Sequence, residues 1–553
     1  MITHIILENF RNWEQRVEIP LGRLTLLYGQ NSAGKSSILC ALDLLIQSME
    51  NADGDEFEMQ NTGHRTCLGD FANLVYKHDI DRPIRIGVRI LNQGKDPENG
   101  LTNNDELSYI ATFVKSSSAR SLGGCASVSI SVNDMRLTFN RDICFPQYFL
   151  TRQSLDSLFL FLDSRINHTK RPDYSCDDYY TVMKIIQTID YFALKNGIPF
   201  EERLYDEEAM RQLSDLPEGF SKEKFYEIYL EIRKALTQRL KRFHQQVTTD
   251  LFRCKHIGPL RKNLGRKYSE INVAGNPYNV GHEGESLLDV LLHDHPEREY
   301  TFKSMKKYKE SRGASCGSRT IQEIDEASVI DEDSHCEMLM KDHLAEFLKL
   351  EKPVTTMLER TNKILRKIKF GYTLKVREFY DKAFGRLRLV MLRQISDGTI
   401  VHFADVGSGI SQSLPIIVQV IASDTGILCI EQPEIHLHPR LQVILGQVFA
   451  DSVAENPGSQ IICETHSPEI LLRILNRVSE KKLNHKDLSI CYVHGTQPKN
   501  SQTGKFEIIR VDKSGAVLDE WPEGFLDAIY GNDTEAADRW WRTANDRLDT
   551  SRK

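Results

Sequence analysis

The sequence predicts an α/β fold in which one core is divided between the two ends of the chain. Three observations carry this. A glycine-rich loop, Gly29-Gln30-Asn31-Ser32-Ala33-Gly34-Lys35-Ser36-Ser37, follows an apolar run near the amino terminus. A second apolar run closed by an acid, Ile427-Leu428-Cys429-Ile430-Glu431, comes only in the last quarter. Between them lies a long stretch with helical periodicity and many charges. At 553 residues the chain has room for a divided core and a substantial insertion.

In order along the chain, residues 1–150 read as the first lobe. Ile2–Leu7, Val17–Ile19 and Leu24–Tyr28 alternate or run apolar as strands do, and the last leads into the glycine-rich loop. A helix from Ser36 to about Gln47 follows, with Ile38, Leu39, Leu42, Leu45 and Ile46 on its buried side. Between Arg82 and Phe139, runs such as Ile84–Ile90 and Ala126–Val132 predict antiparallel strands. Residues 151–250 read as a helical insertion, seen in Tyr179–Phe192 and Lys222–Gln246. Its arms are too short, and too poor in heptads, for a long coiled coil. Residues 251–294 return to the core, and 295–340 form a charged insert expected to be mobile. That insert is basic first (Lys303, Lys306, Lys307, Lys309, Arg312) and acidic later (Glu323, Asp325, Glu326, Asp331, Glu332, Asp333). Residues 341–510 make the second core lobe, with helices over Lys341–Ile368 and strands at Thr373–Phe379 and Leu387–Gln394. In the tail, 511–553, Trp521, Phe525, Tyr530, Trp540 and Trp541 suit either a protein interface or packing on their own lobe.

Composition narrows the class. Hydrophobic residues at 40% and charged residues at 27% fit a globular protein and argue against wholesale disorder. With a net charge of -7, contact with nucleic acid would need a local basic patch, because the whole-chain field repels phosphate. The eleven cysteines are scattered without C-x-x-C spacing, so reduced thiols are expected and a metal or disulfide framework is not. No cleavable apolar leader opens the chain, and no apolar run nears the roughly 20 residues of a membrane span. A cytoplasmic protein without a membrane segment is the expectation.

The glycine-rich loop fits G-x-x-x-x-G-K-[ST]. Gly29 and Gly34 let the backbone curl so that its N–H groups point at phosphate oxygens, Lys35 can reach the outer phosphates, and the Ser36 hydroxyl can ligate magnesium. Glu431, at the tip of a buried strand, is placed to hold magnesium. Gln432 and Glu434 follow it closely. A further buried run, Ser459–Glu464, leads to Thr465-His466-Ser467, where His466 can sense the terminal phosphate or serve as an ordinary structural histidine. Ahead of the acidic strand, Asp405-Val406-Gly407-Ser408-Gly409-Ile410-Ser411-Gln412 is a small-residue turn leading into an apolar helix. It suits a second phosphate contact and reads equally as a flexible turn.

Taken in order, these motifs resemble the AAA-type, ABC-class ATPase core of the RecF, SMC and overcoming-lysogenization-defect group. Gly29–Ser37 resemble Walker A, Val406–Gln412 a variant signature motif, Ile427–Glu434 Walker B, and Thr465–Ser467 the switch-histidine strand. Further segments are similar to a bacterial subfamily that includes the ATPase subunits of Septu-type antiphage systems, retron-associated forms among them: Lys255-His256-Ile257-Gly258-Pro259-Leu260-Arg261, Tyr268, Val280-Gly281-His282-Glu283-Gly284-Glu285 and Gly515–Phe525. The resemblance implies an ABC-type P-loop ATPase head with split amino- and carboxyl-terminal parts. It implies a homodimer or higher oligomer closed around ATP and Mg2+, with Gly29–Ser37 on the nucleotide and Ser408, Gly409 and Ser411 reaching it from the partner subunit. Ser36 and Glu431 would hold the metal, and Glu431, Gln432, Glu434 and His466 would serve hydrolysis.

One departure matters: where such cores place an acid and then glutamate, this chain has Glu431 and then Gln432. Glutamine orients water but accepts a proton poorly, so slow hydrolysis is expected, with Glu434 able to assist. Too few residues follow His466 for the appended nuclease domain of the overcoming-lysogenization-defect enzymes. The resemblance therefore implies a separate effector, an HNH nuclease, joined in some related systems by a reverse transcriptase with its RNA. The competing reading is a RecF- or SMC-like ATPase of DNA repair or DNA-end sensing. Lys303–Arg312, Arg239–Arg242 and Arg366–Lys369 could touch phosphates, and direct DNA binding stays open.

Overall fold

Leu24–Gly29 is a strand buried along its whole length, and its pairing shows how the ends of the chain meet. In the computed structural model it lies parallel to Leu488–Val493, with Leu24 opposite Leu488 and Gly29 opposite Val493. The structure describes residues 1–52, 58–59, 65, 68–92, 105–115, 123–133, 135–141, 148–150, 154, 193–195, 198–200, 221–262, 278–292, 356–381, 385–423, 426–495 and 505–522. The chain divides into two units. One comprises 1–254, 486–510 and 517–553, the other 255–485 and 511–516.

In the first unit, Phe506–Ile509 pairs antiparallel with Leu488–Val493 and so extends the sheet begun by Leu24–Gly29. The helix Lys35–Glu50 springs directly from the loop after Leu24–Gly29, three residues longer than the periodicity predicts at its carboxyl end and one at its start. Most of its residues are buried, including Ile38, Leu39, Leu42, Leu45 and Ile46. A separate antiparallel sheet runs in the order Val17–Pro20, Ile2–Glu8, Ile84–Leu91, Glu106–Val114, Gly124–Val132, Met135–Arg141, Tyr148–Leu150. Alternation sorts its two faces. Ile86, Val88, Tyr109, Ala111, Val128, Ile130 and Phe139 are buried, whereas Arg89, Ser108, Ser131 and Arg136 form a polar row across four strands.

Lys222–Phe252 is one helix, capped by the Ser221 hydroxyl accepting from Lys224 N at 3.1 Å. It outruns the Gln246 boundary because Phe243, Val247 and Leu251 continue its buried stripe at helical spacing. The stretch Tyr179–Phe192, the insert 295–340 and the tail beyond residue 522 lie outside the described residues.

In the second unit, Gly426–Glu431 lies between two parallel partners, Lys255–Ile257 and Ser459–Glu464. Parallel strands bury both faces, which is why Ile427–Ile430 and Ile461–Cys463 are continuously apolar rather than alternating. The helices Ser408–Ala422, Pro439–Glu455 and Pro468–Ser479 belong to this unit. Met357–Lys367 begins with a full capping box, Thr356 with Glu359. It is followed by the hairpin Tyr372–Asp381 with Gly385–Gln394, slightly longer than the predicted strands. The helices Pro439–Glu455 and Pro468–Ser479 approach closely at Gly446, where a Cβ would stand 2.8 Å from Ile470 O. Gly446→Val should therefore cost about 1–3 kcal/mol by overpacking, read as a lowered urea midpoint in equilibrium unfolding.

Candidate nucleotide-binding site

The loop between Leu24–Gly29 and Lys35–Glu50 is bent by residues of positive φ: Gly29 at 140°, Ser32 at 60° and Gly34 at 108°. A chain that alternates hand in this way turns successive N–H groups toward one concavity. Gly29 has no alternative, since a Cβ there would lie 2.1 Å from Val493 O. Lys35, 3% exposed, folds its ammonium back into the curl and donates to Gly29 O at 3.0 Å and Gln30 O at 2.8 Å. Gln30, Asn31 and Ser32 are exposed, Ala33 and Ser37 are buried, and Ser36 is half-buried. Gly34 precedes the helix without a side-chain cap, so the first N–H groups are not claimed by the usual cap oxygen.

Residues far away in sequence brace this loop. Asn12 Nδ2 donates to Ser32 O at 2.7 Å, and the buried Trp13 indole donates to Gly34 O at 3.2 Å. From the other end of the chain, Lys505 Nζ donates to Asn12 O at 2.5 Å and stands 5.1 Å from the Trp13 ring centroid. Phe506 meets the same indole edge-on at 6.4 Å. Burial lowers the Lys505 ammonium to about 8, because a low-dielectric setting disfavours the charged form.

In the second unit, the acidic residues gather where the parallel strands end, the usual place for ligands in such sheets. Glu431 closes its strand opposite Glu464, and His256 Nε2 lies 3.1 Å from Glu431 Oε1. Gln432 adopts a left-handed φ of 41°, costly for a residue with a side chain. Its N–H donates to Glu464 O at 2.8 Å. Glu434 accepts from Thr465 Oγ1 at 2.7 Å and from His466 N at 2.7 Å. Burial pushes its carboxyl up, and those two hydrogen bonds and Arg261 oppose the rise. The His466 side chain is exposed. Arg261, 5% exposed, donates through Nη2 to Glu431 O at 3.0 Å and Gln432 O at 3.1 Å. Burial lowers its guanidinium to about 10, against the pull of Glu434.

The turn at Gly407 caps the helix Ser408–Ala422 without a side-chain bond. Ser408 is exposed and Gly409 half-exposed, whereas Ser411 is 3% exposed. Within this unit the structure thus brings Glu431, Gln432, Glu434 and the His466 backbone together. It opens Ser408 and Gly409 to solvent and turns Ser411 inward. Asn12, Trp13, Lys505, Arg261 and Thr465 were assigned no role from sequence. Each acts through a contact distant in sequence, and only the segment Lys255–Arg261, noticed for its resemblance, drew attention to Arg261 and His256.

The half-buried Ser36 offers a hydroxyl in the first unit and Glu431 a carboxylate in the second, each by itself a hard oxygen donor of the kind magnesium takes.

A family model described as an AAA ATPase domain matches residues 1–471. No curated protein matches the chain. Among solved structures it is similar to an Smc head bound to the C-winged helix domain of ScpA, at 10% identity and a TM-score of 0.38, over 93% of this chain and 99% of that one. It is also similar to an Smc head with an extended coiled coil bound to the C-terminal domain of ScpA, derived from Pyrococcus furiosus, at 11% identity and a TM-score of 0.35, over 92% and 96%. An Smc head with a coiled coil and joint from Pyrococcus yayanosii aligns at 11% identity and a TM-score of 0.35, over 93% and 98%.

The Lys505 brace gives a signed pH effect. Between about pH 8 and the ordinary lysine value of 10.5 the unfolded chain binds more protons than the folded one, so folding stability rises with pH across that window. Thermal melts from pH 7 to 10 should show wild type gaining on Lys505→Met as the pH climbs; parallel curves would contradict the buried ammonium.

Proposed function

The chain belongs to the AAA ATPase domain family, and on that premise we propose that it binds ATP with Mg2+, hydrolyses it slowly, and signals its nucleotide state to a separate effector in antiphage defence. The observation that carries the ATP reading is the curled loop with the Lys35 ammonium held inside it by two backbone carbonyls. Phosphate oxygens would replace those carbonyls as Lys35 acceptors. The N–H groups from Gly29 to Ser37, at the start of an uncapped helix, supply the remaining donors. Ser36 and Glu431 would hold magnesium, which offsets phosphate charge when bound.

Slow turnover follows from what surrounds the acidic strand. Gln432 orients water but is a poor base. Glu434, a better base, has one oxygen on Thr465 and the other on the His466 N–H. His466 would sense whether the terminal phosphate is present, and Ser408, Gly409 and Ser411, at the start of their helix, would face a second copy's nucleotide in a head-to-head dimer.

The defence reading is supported by two of the segments that resemble Septu-type subunits, Lys255–Arg261 and Val280–Glu285, which meet in the fold. Gly258 N donates to His282 O and Lys262 N to Glu283 O, both at 2.9 Å, and the His256 and His282 rings are 4.9 Å apart. The proposed partner is an HNH nuclease, with a reverse transcriptase and its RNA in a retron-type arrangement, in the cytoplasm. No helix of the described residues is long and apolar enough to cross a membrane.

Lys35→Ala should weaken ATP binding about 10- to 100-fold by calorimetry, the scale of losing charge-assisted hydrogen bonds. Gln432→Glu should raise kcat at least about tenfold by restoring a proton acceptor; rapid wild-type hydrolysis that survives Gln432→Ala would contradict the slow-turnover reading. Co-purification from the native operon should yield a complex with a nuclease whose mass changes with ATP, whereas strongly salt-dependent DNA binding by the isolated chain would favour the repair reading.

A further inference from the structure

Arg261 joins two parts of the second unit that the nucleotide reading treats separately. Its Nη2 bridges Glu431 O at 3.0 Å and Gln432 O at 3.1 Å, so it grips the backbone on both sides of the φ of 41° at Gln432. The third hold on that residue is its own N–H, bonded to Glu464 O at 2.8 Å. On the opposite side, the Arg261 carbonyl accepts from Gln412 Nε2 at 2.8 Å. Gln412 is 5% exposed and lies one turn into the helix that begins at Ser408. A path of short hydrogen bonds, buried at Gln412 and part-buried at the turn, therefore runs from the Ser408 helix through Gln412 and the backbone and side chain of Arg261 to the turn that carries Gln432.

A simple structural tie does not need arginine. The Nε and Nη1 atoms of Arg261 are buried and find no acceptor among the described residues, and a buried cation with unfilled donors is costly to keep. What the side chain offers is one nitrogen, Nη2, that donates to two successive carbonyls while the backbone carbonyl of the same residue is held by Gln412.

We propose that Arg261 is a positioning residue that couples the helix beginning at Ser408 to the turn at Gln432, so that contacts at the exposed end of that helix set the aim of Gln432 at its water. This rests on the ATPase reading above and adds to it a route by which a second copy seated at Ser408 and Gly409 regulates hydrolysis. A small displacement of the Gln432 amide is enough, because reaction rates fall steeply with misalignment of the attacking group.

The test is single-turnover hydrolysis of labelled ATP with Mg2+ by excess full-length protein, with nucleotide affinity and thermal midpoint measured on the same samples. Arg261→Met and Gln412→Ala should each lower the rate constant about tenfold or more while leaving affinity within about twofold and the midpoint close to wild type. The double variant should be no slower than the slower single variant, because both substitutions cut one link. Unchanged rates, multiplied losses in the double variant, or rate losses matched by loss of affinity or of melting temperature would each overturn the proposal. If Arg261→Met does not fold, Gln412→Ala decides alone on the same criteria. Wild-type protein that binds ATP but never hydrolyses it overturns the reading beneath as well as the proposal; wild-type hydrolysis untouched by both substitutions overturns the proposal alone.

Discussion

A side chain cannot exist at position 29: its Cβ would stand 2.1 Å from Val493 O, and the backbone there has a φ of 140°. That close approach lets a strand from the start of the chain lie against one from its last eighth, residue for residue from Leu24 to Gly29. Where the approach ends, the loop begins, so the same glycine that closes the sheet also starts the curl around Lys35. Lys505, which follows Leu488–Val493 on the next turn of the chain, then braces Asn12 and Trp13, and these in turn hold Ser32 O and Gly34 O. Backbone geometry, more than any single side-chain bond, makes the amino-terminal loop depend on the carboxyl-terminal hairpin.

The second unit solves a different problem, that of keeping charges at the ends of buried strands. Carboxylates and a guanidinium out of water are costly unless each finds donors or acceptors. Glu434 is met by Thr465 and the His466 N–H, Glu431 lies beside His256, and Arg261 spends one nitrogen on two carbonyls. These contacts tie the loop after Gly426–Glu431 to the loop after Ser459–Glu464. The left-handed Gln432 persists because Arg261 and Glu464 O fix its surroundings, which is the general condition for retaining a strained residue.

Much of this was legible in the amino-acid order because it is local. The loop, its strand and its helix are set by spacing within about twenty residues, and Ile84–Ile90 carries its alternation on its face. Boundaries were less legible where nothing punctuates them: Lys35–Glu50 ends at Asn51 with no glycine or proline to mark it, and Lys222–Phe252 keeps its apolar stripe past Gln246. The missing site residues share one cause. Lys505 and Asn12 are 493 positions apart, and Arg261 is 170 from Glu431, distances over which periodicity carries no signal. Ser411 illustrates the converse: motif position alone placed it with Ser408 and Gly409, but one turn into a helix it falls on the inward face.

On the proposed ATPase reading, the arrangement around Glu434 would favour holding nucleotide over consuming it. For that carboxylate to take a proton from water it would have to loosen its bond to Thr465 or to the His466 N–H, the two contacts that keep adjacent loops together. Burial raises its proton affinity, which helps a base, but its committed geometry works against it, and general-base catalysis requires reach before basicity. Gln432 has the opposite balance: it stands at the strand tip and can orient water, yet it cannot carry the proton away. On the proposed reading, with positioning and basicity assigned to different residues, bond cleavage would be slow relative to binding. A bound state that outlasts the encounter is what the proposed assembly signal would need, and the path through Gln412 and Arg261 would give that signal a physical route inside one unit.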